Sequence, residues 1–160
     1  MILTAAQADK KLRRMALEIA ERNANNKGII IIGIKGSGMV IAKKIEEYLS
    51  AVFHGTIETL ALYINKKTAG DVKLETAADL KGKNVLLVDD VANSGRTMLY
   101  ALKPLMEMYP ASIETLALVE RTHKLFPVAL NYVGLSVSTE ENENIAVIVE
   151  GDEITGAEIG

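Results

Sequence analysis

Apolar residues recur at three- and four-residue spacing through Ala8, Leu12, Met15, Ala16 and Ile19, which predicts a helix running from a Thr4 cap to about Asn23. Asn25, Asn26 and Gly28 end it. Gly28 to Ile34 (GIIIIGI) is apolar throughout, the pattern of a strand covered on both faces in a parallel sheet. KGSG follows, then a helix from about Met39 to Leu49. Thr56 to Ile64 alternates as a strand. Asn65 to Lys83 is polar, carries Gly70 and Gly82, and reads as a long loop; in a compact domain a loop of that length is usually functional or mobile. Asn84 to Val88 is the next strand, and Gly95 to Tyr109 a helix that Pro104 should bend or approach an end of. Ile113 to Val119 is a strand, RTHKLFPVALNY is irregular, and Tyr132 to Val137 and Ile145 to Val149 are the last strands, divided by the acidic turn TEENEN. The tail GDEITGAEIG shows no clear period. Strands alternating with helices predict an α/β fold, a mostly parallel sheet with helices on both faces, in a single domain over residues 1–160.

Composition narrows the function. The 160 residues are 49% hydrophobic with a net charge of -3, so no broad nucleic-acid footprint is expected. Lys10, Lys11, Arg13 and Arg14 read as the solvated face of the first helix rather than an RNA-binding stripe. Cysteine is absent, which removes disulfides, thiolate metal sites and a cysteine nucleophile. The start lacks the apolar core of a signal peptide, and no apolar run is long enough for a membrane span; a cytoplasmic protein is expected. His54 reads as a turn residue, and two histidines without spaced partners make no metal site. The six methionines read as core filler.

Two small-residue loops fall at carboxyl ends of expected strands, where open α/β sheets bind ligands. The first is Lys35-Gly36-Ser37-Gly38. GIKGSG is not the dinucleotide G-x-G-x-x-G, and as a Walker loop it has Met39 and Val40 where Lys and Ser/Thr are required. Taken alone, it reads equally as a glycine-permitted turn. The second is Ala92-Asn93-Ser94-Gly95, preceded by Asp89 and Asp90 and followed by Arg96 and Thr97. Its hydroxyls, its backbone N–H groups and the helix it opens suit a phosphate. The aspartates suit sugar hydroxyls or hydrated Mg²⁺. One ligand with a diol beside a monophosphate, such as ribose 5-phosphate, answers the whole stretch. A response-regulator receiver would need an acceptor aspartate on a later strand, and after Asp90 only Asp152 remains, in the tail. A solvated acidic turn is the plain alternative.

VLLVDDVANSGRT (Val85 to Thr97) resembles the phosphoribosyl pyrophosphate (PRPP) motif of type I phosphoribosyltransferases. ALEIAERN (Ala16 to Asn23), IIGIKGSGMVIAKKI (Ile31 to Ile45) and RTHKLFPVALNYVG (Arg121 to Gly134) resemble one branch, the PyrR-type pyrimidine-operon regulators with uracil phosphoribosyltransferase activity. The resemblance implies the type I fold with a small hood. It implies that Asp89 and Asp90 face the ribose hydroxyls, directly or through Mg²⁺, and act in catalysis with Lys35. It implies that Ala92, Asn93, Ser94, Gly95, Arg96 and Thr97 wrap the 5-phosphate, and that Lys35, Gly36, Ser37 and Gly38 form a pyrophosphate loop whose glycines ease backbone strain. A lid over about 65–82 would bring Lys66 and Lys67 to the diphosphate. A hood over about 121–134 would cover the base with Arg121, His123, Tyr132 and Val133, Tyr132 stacking on its ring. Partners would be PRPP, a nucleobase and further copies of the chain.

Departures from the family pattern point to a pyrimidine. Purine-using members carry an acid where Asn93 stands and a hood lysine where Ala129 stands. The PyrR-type loop carries an arginine where Ser37 stands, which removes one charge from the diphosphate site. Joining uracil to PRPP to give UMP is the expected reaction. A non-catalytic PRPP- or UMP-binding regulator, with RNA as a partner that the charge disfavours, and a purine phosphoribosyltransferase stay open as alternatives.

Overall fold

The computed structural model describes residues 1–65, 67 and 71–160. Strand β1 (Leu3–Thr4) leads into helix α1 (Ala5–Arg22). The Thr4 side chain accepts the Gln7 N–H and the Gln7 side chain accepts the Thr4 N–H, a reciprocal cap that fixes the helix start where the apolar spacing placed it. Then follow β2 (Gly28–Ile34), α2 (Ser37–Ser50), β3 (Thr56–Ile64), β4 (Val72–Leu74), β5 (Asn84–Ala92), α3 (Arg96–Met106), β6 (Ser112–Arg121), β7 (Tyr132–Val137), β8 (Ile145–Glu150) and β9 (Glu153–Ile159). Pro104 lies inside α3, two residues before its end at Met106. Among the described residues no helix is long and apolar enough to cross a membrane.

Six strands form the central sheet in the order β4-β3-β2-β5-β6-β7, all parallel except β4. The chain leaves β2 toward β3 on one side and returns to β5 on the other, so the switch in strand order lies between β2 and β5. Two apolar cores cover the faces. One joins α1 and α2 to Ile31, Leu86 and Leu118; the other joins α3 (Met98, Ala101, Leu105) to Ile32, Leu62 and Leu87. The expected α/β sheet with helices on both faces is what the chain forms.

Three features depart from the sequence expectation. The long segment after Asn65 carries β4, antiparallel to β3. Strand β5 runs past Val88 to Ala92, so Asp89 and Asp90 sit within a strand; β6 extends to Arg121 and offers the ladder that overrides the poor strand propensity of aspartate. The tail is β9, which pairs with β8 and β1 in a second, antiparallel sheet of order β1-β9-β8. That sheet packs through Ile145, Val147, Ile154 and Ala157 into the core beneath α1 and α2. The methionines are also not all core: Met15 and Met98 are buried, while Met1 and Met106 are exposed.

Candidate functional site

The two loops flank the switch point. A cavity of about 280 Å³ opens there, lined by residues 89–95, Thr97 and Met98 and, opposite, by Ile145, Ala146 and Val147 of β8. A larger hollow beside Lys27, Glu58, Asp79 and Lys83 lies at the amino ends of the strands, the end that open α/β sheets do not use for ligands.

Burial of an acidic pair calls for fixed donors. Asp89, 4% exposed, accepts the Asp90 N–H on Oδ1 at 2.8 Å. Asp90 accepts the Val91 N–H on its own Oδ1 at 2.8 Å. Each carboxylate is thereby oriented by the backbone that follows it. The two loops meet at Asp89: a Cβ on Gly38 would stand 3.0 Å from Asp89 Oδ1. The first turn of α2 approaches this closely because Gly38 has no side chain.

The second loop is a cradle of donors. The Ser94 carbonyl accepts the N–H groups of Leu125 and Phe126, both at 3.0 Å. In a trans peptide the N–H opposes the carbonyl, so this pinning turns the Gly95 N–H away from residues 125–126. Gly95 has φ +85°, the left-handed region, and caps α3. Ser94 Oγ accepts the Arg96 N–H. The N–H groups of Gly95, Thr97 and Met98 have no acceptor among the described residues. Together with the α3 dipole they suit an anion. The Arg96 guanidinium lies over the Tyr100 ring at 5.7 Å and does not line the cavity.

Asn93 spans the cavity mouth. Its Nδ2 donates to the Ile145 carbonyl at 3.1 Å and its Oδ1 accepts the Ile145 N–H at 3.2 Å. Ile145, Ala146 and Val147 were not anticipated as site residues, because an apolar strand after an acidic turn reads as core. The turn itself was the usable signal: Arg121 donates to Thr139 Oγ1 and to the Glu140 and Glu143 carbonyls, holding the turn that delivers β8.

The remaining candidates are distributed as follows. Lys35 lies outside the cavity and donates to Glu75 Oε1 at 2.6 Å; this bond raises its pKa. Gly36 has φ +101° and begins α2, and Ser37 is half-buried there. Lys67 is exposed, while Lys66 lies outside the described residues. Of the hood expected over 121–134, none of Arg121, His123, Tyr132 and Val133 lines this cavity, whose far wall is β8. Arg121 is committed to the turn before β8, and His123 is exposed and lines no part of the cavity. The Val133 carbonyl accepts from Arg14 at 2.7 Å on the α1 side. Tyr132 is fully buried, opposite Leu116 in the ladder. Its hydroxyl donates to Glu114 at 2.9 Å and Arg22 covers its ring at 4.9 Å, so no base can stack there. Burial, then the Glu114 bond, pushes its pKa up.

The first helix's cations are likewise less free than a solvated face implies. Arg14 holds backbone carbonyls of β7, and Arg13 pairs with Asp9 over the Tyr48 ring.

The described residues hold no group of three or more His, Cys, Asp or Glu that could bind a metal. Mg²⁺ needs fewer protein ligands than that, since it keeps water and takes phosphate oxygens from substrate. Two oriented carboxylates beside an anion cradle fit such an ion.

The model of the phosphoribosyl transferase domain matches residues 1–153. The Bifunctional protein PyrR of Streptococcus mutans is 34% identical over 159 residues, covering 95% of this chain and 90% of that protein. The Pyrimidine operon regulatory protein of Lactococcus lactis is 33% identical over 144 residues, covering 86% of this chain and 83% of that protein. Among solved structures, hypoxanthine phosphoribosyltransferase of Trypanosoma cruzi superposes with a TM-score of 0.81 at 16% identity, covering 99% of this chain and 94% of that one.

Proposed function

The chain belongs to the phosphoribosyl transferase domain family, with the type I fold, and from that premise we propose that it joins uracil to PRPP, releasing pyrophosphate and giving UMP. The observation that carries this reading is the juxtaposition of Asp89 and Asp90 with the open N–H groups of Gly95, Thr97 and Met98 in one cavity. A 5-phosphate occupies the cradle and the ribose hydroxyls face the carboxylates. The bond from the anomeric carbon to pyrophosphate breaks through an oxocarbenium-like state, and the base nitrogen attacks that carbon. Negative charge grows on the leaving group, which Lys35 and the first loop would stabilise. Bound Mg²⁺, held by Asp89, Asp90 and substrate oxygens, would add charge stabilisation there.

The base lies toward β8. Asn144 and Gly160 exchange backbone hydrogen bonds across β8 and β9. By the alternation of an antiparallel ladder, Val147 N–H and C=O then face away from β9, on the strand's open edge. That donor–acceptor pair can read the amide edge of a pyrimidine. Asn93 brings no carboxylate, and Ala129 no cation, to favour a 6-oxopurine.

The test is UMP formation from uracil, PRPP and Mg²⁺, repeated with Asp89→Asn plus Asp90→Asn. Removing preorganised charge from such a site costs about 10²- to 10³-fold in kcat/KM. Turnover of hypoxanthine or guanine in place of uracil would overturn the substrate; full activity in the double variant would overturn the site.

The name Pyrimidine operon regulatory protein favours a second reading, a regulator of pyrimidine genes, which we take as a PRPP- or UMP-binding protein acting on RNA. Several arginines that would serve RNA phosphates are engaged within the chain. A low-salt gel shift with pyrimidine-operon leader RNA decides it: no shift removes RNA as a partner.

A further inference from the structure

We propose that Asn93 is a positioning residue that couples the phosphate loop to the strand on the base side of the cavity; this rests on the phosphoribosyl reading above. Strand β8 is an edge strand, with β9 on one side only. Ile145 pairs with Ile159 one step from the hydrogen-bonded pair Asn144 and Gly160, so its N–H and C=O point out of the sheet edge. Unpaired edge groups are costly when buried, and Ile145 is 3% exposed. The Asn93 carboxamide satisfies both, at 3.1 and 3.2 Å, as one peptide unit of a neighbouring strand would. Only a side-chain amide can donate and accept in this way; a carboxylate could accept from the N–H but would set its other oxygen against the Ile145 carbonyl.

The consequence is mechanical. Asn93 stands immediately before Ser94, whose carbonyl is pinned to orient the cradle. Ile145 stands two residues before Val147, whose edge groups face the cavity. A phosphate that orders residues 94–97 therefore fixes, through one side chain, the height of β8 above the sugar. The phosphate half of a nucleotide prepares the base half through the two hydrogen bonds of Asn93 to Ile145.

The experiment compares ribose 5-phosphate with UMP, by calorimetric titration of the native chain, Asn93→Ala and Asn93→Asp. Both variants should weaken UMP about tenfold more than they weaken ribose 5-phosphate, the effect of losing the paired hydrogen bonds to the base-side strand. In the native chain, ribose 5-phosphate should slow hydrogen exchange at the Ile145 amide; this arm needs no variant and holds if either variant fails to fold. Equal weakening toward both ligands, unchanged UMP affinity, or an Ile145 amide indifferent to ribose 5-phosphate would overturn the coupling. A native chain that does not bind ribose 5-phosphate would instead overturn the phosphoribosyl reading of the site.

Discussion

Lys35 Nζ stands 2.6 Å from Glu75 Oε1, so the one lysine of the first glycine loop is held by the residue that follows β4. Both side chains are substantially exposed. Glu75 raises the pKa of Lys35, which keeps the amine charged, but it also occupies the cation that the proposed function assigns to the diphosphate. Under that proposal, PRPP displaces Glu75 from Lys35. Glu75→Gln should therefore lower KM for PRPP, by less than about fivefold because exposed ion pairs are weak. Initial rates at varied PRPP check this, and the gain should shrink with added salt. A higher KM in the variant would mean that Glu75 steers Lys35 toward substrate.

Tyr132 separates the resemblance from the structure. Its ring is buried under Arg22 and its hydroxyl serves Glu114, which also accepts from Asn23 at 3.1 Å. Tyr132→Phe should cost about 1 kcal/mol of stability, one net hydrogen bond, and leave kcat and KM for uracil within about twofold. Denaturant midpoints and steady-state kinetics measure the two sides. A large rise in KM for uracil would return Tyr132 to the base site.

The alkaline limb of stability has an identifiable source. Burial first, then the Asp9 hydrogen bond, pushes the Tyr48 hydroxyl up from 10.0 to about 12. The folded state thus favours the protonated phenol. That contribution is whole below the ordinary value of 10.0, and is lost as pH rises from there through about 12. Tyr132 acts in the same direction. Denaturant midpoints should fall above pH 10.0, and Tyr48→Phe should flatten that fall while lowering stability at neutral pH. An unchanged slope would mean that Tyr48 titrates as an exposed tyrosine.

What could be read in advance follows from period and burial. Strands β2, β3 and β7 keep the bounds read from the sequence: β2 is an apolar run buried on both faces, while β3 and β7 alternate between more and less buried positions. The Asp89 to Thr97 stretch stood out because carboxylates sit directly beside a small-residue loop, and residues 89–95 and Thr97 do line one cavity. The wall opposite, β8, did not stand out. Residues 151–160 hide an edge-paired strand whose glycines break the alternation, and Ile145 joins the site through backbone groups, which no side-chain pattern reports. Tyr132 misled for a related reason: an aromatic at a strand start looks the same whether it faces a ligand or Glu114.

Gly95 provides the sharpest test of the cradle. At φ +85° an alanine is strained by about 1–2 kcal/mol, and its Cβ would meet Phe126 O at 3.3 Å and Lys124 Cδ at 3.4 Å. Neither neighbour yields easily. Phe126 is tied to the Ser94 carbonyl, and Lys124 is paired with Glu120 at 2.8 Å. The loop must relieve the strain by rotating the Ser94–Gly95 peptide, which swings the Gly95 N–H off the phosphate. Gly95→Ala should weaken ribose 5-phosphate and UMP together, by about tenfold, as expected for one charge-assisted hydrogen bond. Calorimetric titration of both ligands distinguishes this from the Asn93 variants, in which UMP should suffer more than ribose 5-phosphate. If Gly95→Ala spared ribose 5-phosphate, the phosphate would have to be held elsewhere than at the start of α3.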